Sequence, residues 1–191
     1  IVLAVITFWL FANSLINVIP NLQTSFGSYL STISIAVSLT ALFCGMFVVG
    51  AGSLADYFGR VRLTIIGLWL NIFGSLLIIV SDYIPLLLMG RAIQGLSAAL
   101  IMPATLSLIK AYYHGDKRQR ALSLWSIGSW GGSGFASLFG GMIATFLSWR
   151  WIFVFSIIVP LIAVLLIKGT PESKNQHASS RQFDIVGLIL L

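Results

Sequence analysis

The stretch Gly52-Ser53-Leu54-Ala55-Asp56-Tyr57-Phe58-Gly59-Arg60-Val61-Arg62-Leu63 places three charges between two long apolar runs, residues 33–55 and 63–80. So few residues separate the runs that a tight turn must join two helices. Gly59 suits such a turn because it takes positive φ at low cost. Gly52 has no side chain and lets a neighbouring helix approach. Asp56 falls where a helix ends, and the macrodipole disfavours a negative charge there. It therefore needs a partner, either Arg60 or the positive N-terminus of another helix. An ordinary charged turn is the plainer reading of the same residues.

The rest of the chain explains why these charges stand out. Of 191 residues, 58% are hydrophobic and only 8% are charged, with a mean hydropathy of +1.01. A soluble domain carries about 25% charged residues because its surface faces water. This chain cannot cover itself that way, so its solvent is lipid. A soluble enzyme, a nucleic-acid binder and a disordered tail are excluded. A bilayer crossing takes about 20 helical residues. Six apolar segments fit: 1–19, stopped by Pro20; 33–55; 63–80; 85–109, with Pro85 at its start; 121–147; and 151–167. A seventh begins near residue 185 and runs to 191. The runs are too long and too continuously apolar for alternating barrel strands. The expected fold is all-α and polytopic: a six-helix transmembrane bundle over 1–167, a linker over 168–184, and the truncated start of another helix over 185–191. Because the sequence opens and closes inside apolar runs, it reads as a piece of a longer membrane protein.

Basic residues give the orientation. Arg60, Arg62, Lys110, Lys117, Arg118, Arg120, Lys168, Lys174 and Arg181 make up nine of the eleven Lys and Arg, and all follow the even-numbered segments. Those exits are expected on the cytoplasmic side, as are the start of segment one and the 168–184 linker. Arg150 alone marks the opposite side, flanked by Trp149 and Trp151 at headgroup depth. The net charge of +6 is thus mainly topological. Cys44 reads as a small buried filler. His114 and His177 read as solvated loop residues, and no metal site is expected.

Arg91 is the one ionisable residue well inside a segment, where a charge costs several kcal/mol unless it meets a cavity or a partner. It shares a helix face with Gln94, and Gly95 and Ala99 give that helix a small face for close packing. Snorkelling to an interface is the alternative. In segment five, Gly128, Gly132, Ala136 and Gly140 recur every four residues as a stripe of small residues, widened by Gly131, Gly134 and Gly141. Helix packing alone accounts for such a stripe. Trp9, Asn13 and Asn17 share one face of segment one, and Thr64, Asn71 and Ser75 make a polar stripe in segment three. The five acids, Asp56, Asp82, Asp116, Glu172 and Asp184, all lie in loops or at helix ends.

Several of these patterns resemble a known family. G-x-L-A-D-x-x-G-R-x-x-L, from Gly52 to Leu63, is similar to the signature loop between helices two and three of the major facilitator superfamily. Tyr57 and Val61 stand where that family often has basic residues. The resemblance implies that Gly52, Asp56, Gly59 and Arg60 form a conformational latch against a partner half. Arg91-x-x-Gln94-Gly95-x-x-Ala98-Ala99 is similar to the fourth-helix motif of proton-coupled members, implying a role for Arg91, Gln94 and Gly95 in proton coupling or cavity electrostatics. The glycine stripe resembles the fifth-helix antiporter motif, with its last pair on Gly140-Gly141, its first glycine on Gly132, and Ala136-Ser137 where the family has Gly-Pro. Asn17-Val18-Ile19-Pro20 is similar to the end of helix one in the 14-helix drug:proton antiporters. Phe8-Trp9-Leu10-Phe11-Ala12, the run Trp125 to Gly134, Trp149-Arg150-Trp151-Ile152-Phe153 and Lys168-Gly169-Thr170-Pro171-Glu172 resemble quinolone-resistance efflux pumps of the NorB and NorC type.

The resemblance implies the N-terminal half of a plasma-membrane exporter, built as two three-helix inverted repeats and driven by proton entry. Its partners would be amphipathic drugs, protons, the lipid bilayer and the remaining half, with no nucleic acid, no cofactor beyond the proton gradient, and no enzymatic activity. Trp9, Asn13, Asn17, Arg91, Gln94 and Trp130 are the expected cavity residues. The proton-exchanging carboxylate is expected in the remainder of the protein, with Asp56 or Asp82, reached from water, as the alternative. A proton-coupled importer, a membrane-embedded enzyme and a channel are the competing functions.

Overall fold

The structure of the chain, a computed structural model, describes residues 1–173, without the side chains of residues 9–14 and 144. The expectations for Trp9 and Asn13, for most of the linker and for the seventh segment lie outside the described residues. The elements are α1 (Val2–Ser14), a 3-10 turn (Ile16–Val18), α2 (Ile19–Phe26), α3 (Leu30–Phe58), α4 (Arg60–Ile79), α5 (Ile84–Tyr112), α6 (Gly115–Ser126), a π-helical turn (Ile127–Gly131), α7 (Gly132–Phe146) and α8 (Arg150–Ile167). Every regular element among the described residues is helical. Four helices, α3, α4, α5 and α8, are long and apolar enough to cross a membrane. α3 and α5 have 29 residues each, about 44 Å at 1.5 Å per residue. They therefore outreach the ~30 Å hydrocarbon core, and their ends extend beyond the apolar runs in the sequence.

Segments one and five differ from expectation. Pro20 does not stop the first helix. The α-helix breaks earlier, at Leu15, and resumes at Ile19 with Pro20 in its first turn. A proline costs nothing there, because the first turn's N–H groups have no intrahelical acceptor. α2 then runs to Phe26 and ends on Gly27 at φ 57, whose N–H returns to the Gln23 carbonyl. Segment five starts a turn and a half early, at Gly115, and is split by the π-helical turn. Gly128 and Gly131 lie in that turn, where missing side chains weaken the regular ladder. The first and fifth crossings are thus each two helices end to end.

The neighbours follow a symmetric scheme. α5 packs on α3 and on α4, α1 packs on α7 and on α8, and α4 packs on α8. Take α1–α4 as one repeat and α5–α8 as the other. Exchanging the repeats turns the α3–α5 contact into α7–α1, turns α4–α5 into α8–α1, and leaves α4–α8 unchanged. An inverted repeat has that property.

In lipid there is no hydrophobic drive between helices, so close packing of small residues does the joining. A methyl at Gly74 would stand 2.9 Å from the Gly90 carbonyl, and one at Gly90 would stand 2.8 Å from the Gly74 carbonyl. The backbones of α4 and α5 touch there. α3 and α5 touch at Gly95, where a methyl would meet the Thr40 carbonyl at 2.6 Å. Large apolar side chains such as Trp69, Phe73, Leu165 and Leu166 point outward.

Candidate functional site

The turn between α3 and α4 is as tight as the sequence requires. Gly59 alone separates the helices, at φ 116, and its N–H bonds the Ala55 carbonyl. That backbone sets the first residue of α4 beside the last turn of α3. Arg60 Nη2 and Nε donate to Asp56 Oδ1 at 2.7 and 3.0 Å. Of the two partners open to Asp56, this structure has Arg60. The guanidinium also reaches α5, where Nη1 donates to the Ser107 carbonyl at 3.4 Å. Gly52 faces Pro103 of α5, and a methyl there would find Pro103 Cβ at an ordinary 3.7 Å. Packing among the described residues therefore leaves room for a side chain at Gly52.

A residue that sequence reasoning left in the linker completes the loop. Glu172 accepts the N–H of Val61 at 2.9 Å and that of Arg62 at 3.0 Å. Its signal was an absence: Gly59, at the cap position of α4, carries no side-chain acceptor, so those N–H groups need one from elsewhere.

Arg91 lies on α5 with no exposed surface, so it does not snorkel. Its Nε donates to the Ala36 carbonyl of α3 at 3.2 Å, and its Nη1 donates to Gln94 Oε1 at 2.9 Å. Gln94 Nε2 passes the chain on to Ser75 Oγ of α4 at 3.0 Å. Thr40 Oγ1 of α3 donates to the Arg91 carbonyl at 3.2 Å. One turn from Ser75 on α4, Asn71 Nδ2 donates to the Ser156 carbonyl of α8 at 2.8 Å. Asn71 Oδ1 is buried and has no hydrogen-bond partner among the described residues. Polar bonds therefore link α3, α5, α4 and α8 at successive points through the half.

Arg91 and Gln94 are both fully enclosed within this half. The cause is the backbone contact at Gly95 and at the Gly74–Gly90 pair, which closes α3, α4 and α5 over them. Gly95 lies one residue beyond Gln94 and brings α5 against the backbone of α3 at Thr40.

The small stripe of segment five is buried at Gly128, Gly132, Ala136 and Gly140, while Ser137 is exposed and Gly141 half-buried. A methyl at Gly128 would stand 2.9 Å from Val2 Cγ1, so the stripe receives α1. The Ser137 carbonyl accepts Asn17 Nδ2 at 2.8 Å, joining the break in segment one to α7. Trp130, in the π-helical turn, is 74% exposed. A cleft of about 290 Å³ opens among Ile1, Leu108, Tyr112, Ala163, Ile167 and Pro171, and includes none of the residues expected to line a substrate cavity.

The profile of the Major Facilitator Superfamily matches residues 1–189. The chain belongs to the Major Facilitator Superfamily. Its Arg60–Asp56 pair and its enclosed Arg91 are therefore features of a member of that superfamily. Among relatives, the chain is 67% identical over all 191 residues to the Quinolone resistance protein NorB of Staphylococcus aureus strain JH9, and equally to that of strain Newman. It spans 41% of the length of those proteins. Among solved structures, a peptide transporter named POT, crystallised with sulfate, superposes with a TM-score of 0.75 at 18% identity, covering 88% of this chain and 37% of that one. That likeness is one of fold, and it is the fold of a superfamily half.

Proposed function

We propose that this chain is the first half of a proton-driven exporter of amphipathic drugs, quinolones among them. The observation that carries the reading is 67% identity along every residue to proteins named for quinolone resistance. Residues 1–167 then form the N-terminal bundle, residues 168–184 the cytoplasmic linker, and residues 185–191 the start of the next crossing. The start of α1 and the linker face the cytoplasm of a plasma-membrane protein, following the basic residues. The α3–α4 loop, with its Asp56–Arg60 pair, acts as the latch toward the other half.

Trp130 and Asn17, both exposed in this half, supply aromatic and amide surface for planar drugs, with Trp9 and Asn13 as further candidates. Arg91 supports coupling from inside. It holds a positive charge against the carbonyl of α3 and the amide of Gln94, so any change in that charge pattern moves α3 against α5. No carboxylate is embedded among residues 1–167, so the group that exchanges the proton belongs to the other half. The cycle uses the proton gradient and no cofactor.

The test is drug accumulation in everted vesicles bearing the full-length protein under an imposed proton gradient. Wild-type vesicles should accumulate a fluorescent quinolone only with protons running outward from the lumen. Arg91→Ala should lower that rate about tenfold or more, as befits truncation of a buried ionic group. Arg91→Lys, which keeps the charge but loses the planar fork, should fall between. Gradient-independent movement, or accumulation under the reversed gradient as an importer would show, overturns the reading.

A further inference from the structure

The first turn of α4 has no cap of its own, and the chain beyond α8 supplies one. After Ile167 the backbone turns at Gly169, at φ 90, and brings Pro171-Glu172-Ser173 beneath the α3–α4 loop. The two carboxylate oxygens of Glu172 take the N–H groups of Val61 and Arg62, at 2.9 and 3.0 Å. The carbonyl of Ser173 takes the N–H of Arg60 at 3.3 Å. A helix leaves four N–H groups unpaired at its start, and here two linker residues answer three of them. Further bonds hold the same residues in place. Arg60 Nη1 donates to Ser173 Oγ at 3.4 Å, the Tyr112 hydroxyl of α5 donates to the Pro171 carbonyl, and the Arg62 guanidinium lies 4.0 Å from Glu172 Oε2.

Gly59 is shaped to this arrangement. A methyl on it would stand 2.6 Å from the Glu172 carboxyl carbon and 2.8 Å from each oxygen. The carboxylate fills the space over the glycine. Its negative charge also sits where the helix dipole favours it, through charge-assisted bonds. α4 does not need this cap in order to exist: in lipid an apolar helix keeps its backbone bonds because nothing else can satisfy them. The cap instead fixes where the first turn points. Arg60 is in that turn, and its direction decides whether the guanidinium meets Asp56.

We propose that Glu172 is a positioning residue of the latch: by capping α4 it orients Arg60 toward Asp56 and fastens the start of the linker to the α3–α4 loop. Loop and linker then move as one unit, so tension along the linker between the two halves acts directly on the latch. The inference rests on the reading of that loop as the latch.

The experiment compares Glu172→Ala, Glu172→Gln and Asp56→Asn in the full-length transporter in nanodiscs. Two readouts are used: amide hydrogen exchange of the segment containing residues 60–62, and quinolone transport split into KM and maximal rate. Glu172→Ala should speed exchange at Val61 and Arg62 by about fivefold, the factor expected for a lost helix cap. It should lower the maximal rate several-fold while KM stays unchanged. Glu172→Gln keeps one acceptor oxygen and should recover much of both. Unchanged exchange in Glu172→Ala overturns the proposal, because the cap is then not made in the membrane. Faster exchange with an unchanged maximal rate also overturns it, because Glu172 is then a structural cap only. The latch reading fails separately: Asp56→Asn with an unchanged maximal rate removes the latch while the exchange readout still reports the cap.

Discussion

The two ends of the α4–α8 pair carry the same residue types and join them differently. Each helix begins with an arginine, Arg60 for α4 and Arg150 for α8, and each is followed by an acid, Asp82 after α4 and Glu172 after α8. Exchange of the repeats brings one end onto the other. At the end proposed to face outward, the outer end, Arg150 does most of the joining. Its Nε donates to the Ile79 carbonyl at 3.1 Å and its Nη2 to the Ser81 carbonyl at 3.2 Å, while the guanidinium stacks over Trp149 at 4.6 Å. Asp82 is only a rim partner, 84% exposed and 3.4 Å from Nη2. At the end proposed to face the cytoplasm, the cytoplasmic end, the acid does the joining, through the backbone N–H groups of α4, and the arginine is turned to Asp56.

The difference traces to one position. Four residues before Arg60 stands Asp56, and four residues before Arg150 stands Phe146. With Asp56 holding Arg60, Glu172 is released to bind the helix start. With Phe146 in the equivalent place, Arg150 is free to bind the helix end. In both cases α4 receives the charge that its dipole prefers, negative at its start and positive at its end. The cytoplasmic end differs in holding an extra acid, and with it a three-part arrangement of Asp56, Arg60 and Glu172. The outer end has a clasp made by one arginine.

Three substitutions, with Trp149→Ala as the control for the first, test this contrast in decreasing order of effect. Gly59→Ala attacks the cytoplasmic end twice, by placing a side chain at φ 116 and by driving a methyl into Glu172. It should destabilise the purified full-length protein by about 2–4 kcal/mol, combining backbone strain with overpacking, and appear as a clear drop in melting temperature in detergent. Trp149, which occupies the same place before α8, sits at φ −52, so Trp149→Ala should act through lost ring packing with no backbone strain. Arg150→Ala removes the clasp from the end of α4 and should cost about 1–2 kcal/mol in the same melt, with the transport rate lowered less than by Glu172→Ala. Asp82→Asn should shift stability by under about 0.5 kcal/mol, because exposed ion pairs contribute little. A larger shift would mean that the outer end, too, depends on its acid.

Much of the α3–α4 loop could be read from the sequence, because charges are scarce in this chain and each one needs a partner. Arg60 is one of the two partners that the sequence offers Asp56, and the placement of Arg91 with Gln94 follows from spacing along a helix. The rest of Arg91's surroundings does not. Its second partner is the Ala36 carbonyl, and every residue offers a carbonyl, so no side-chain pattern marks that one. The enclosure of Arg91 and Gln94 depends on Gly95 meeting the backbone of Thr40, a contact between helices that spacing within α5 cannot reveal. Pro20 misled because a proline that ends one helix and a proline that starts the next look alike in a single sequence. Glu172 was hidden in a polar run that reads as linker, where only the missing cap of α4 pointed to it.

α4 is held at its start by Glu172, at its middle by the Ser156 carbonyl, and at its end by Arg150. All three come from the last stretch of the half, and the farthest is 111 residues beyond its partner. At roughly 5–20 residues per second of synthesis, a ribosome needs about 5–20 s to make that length. During that interval α4 stands in the membrane with Asn71 unanswered and both ends open. A nascent chain halted before residue 150 should therefore present α4 to the quality-control proteases of the membrane as unfinished, and the arrival of α8 is the event that ends that exposure.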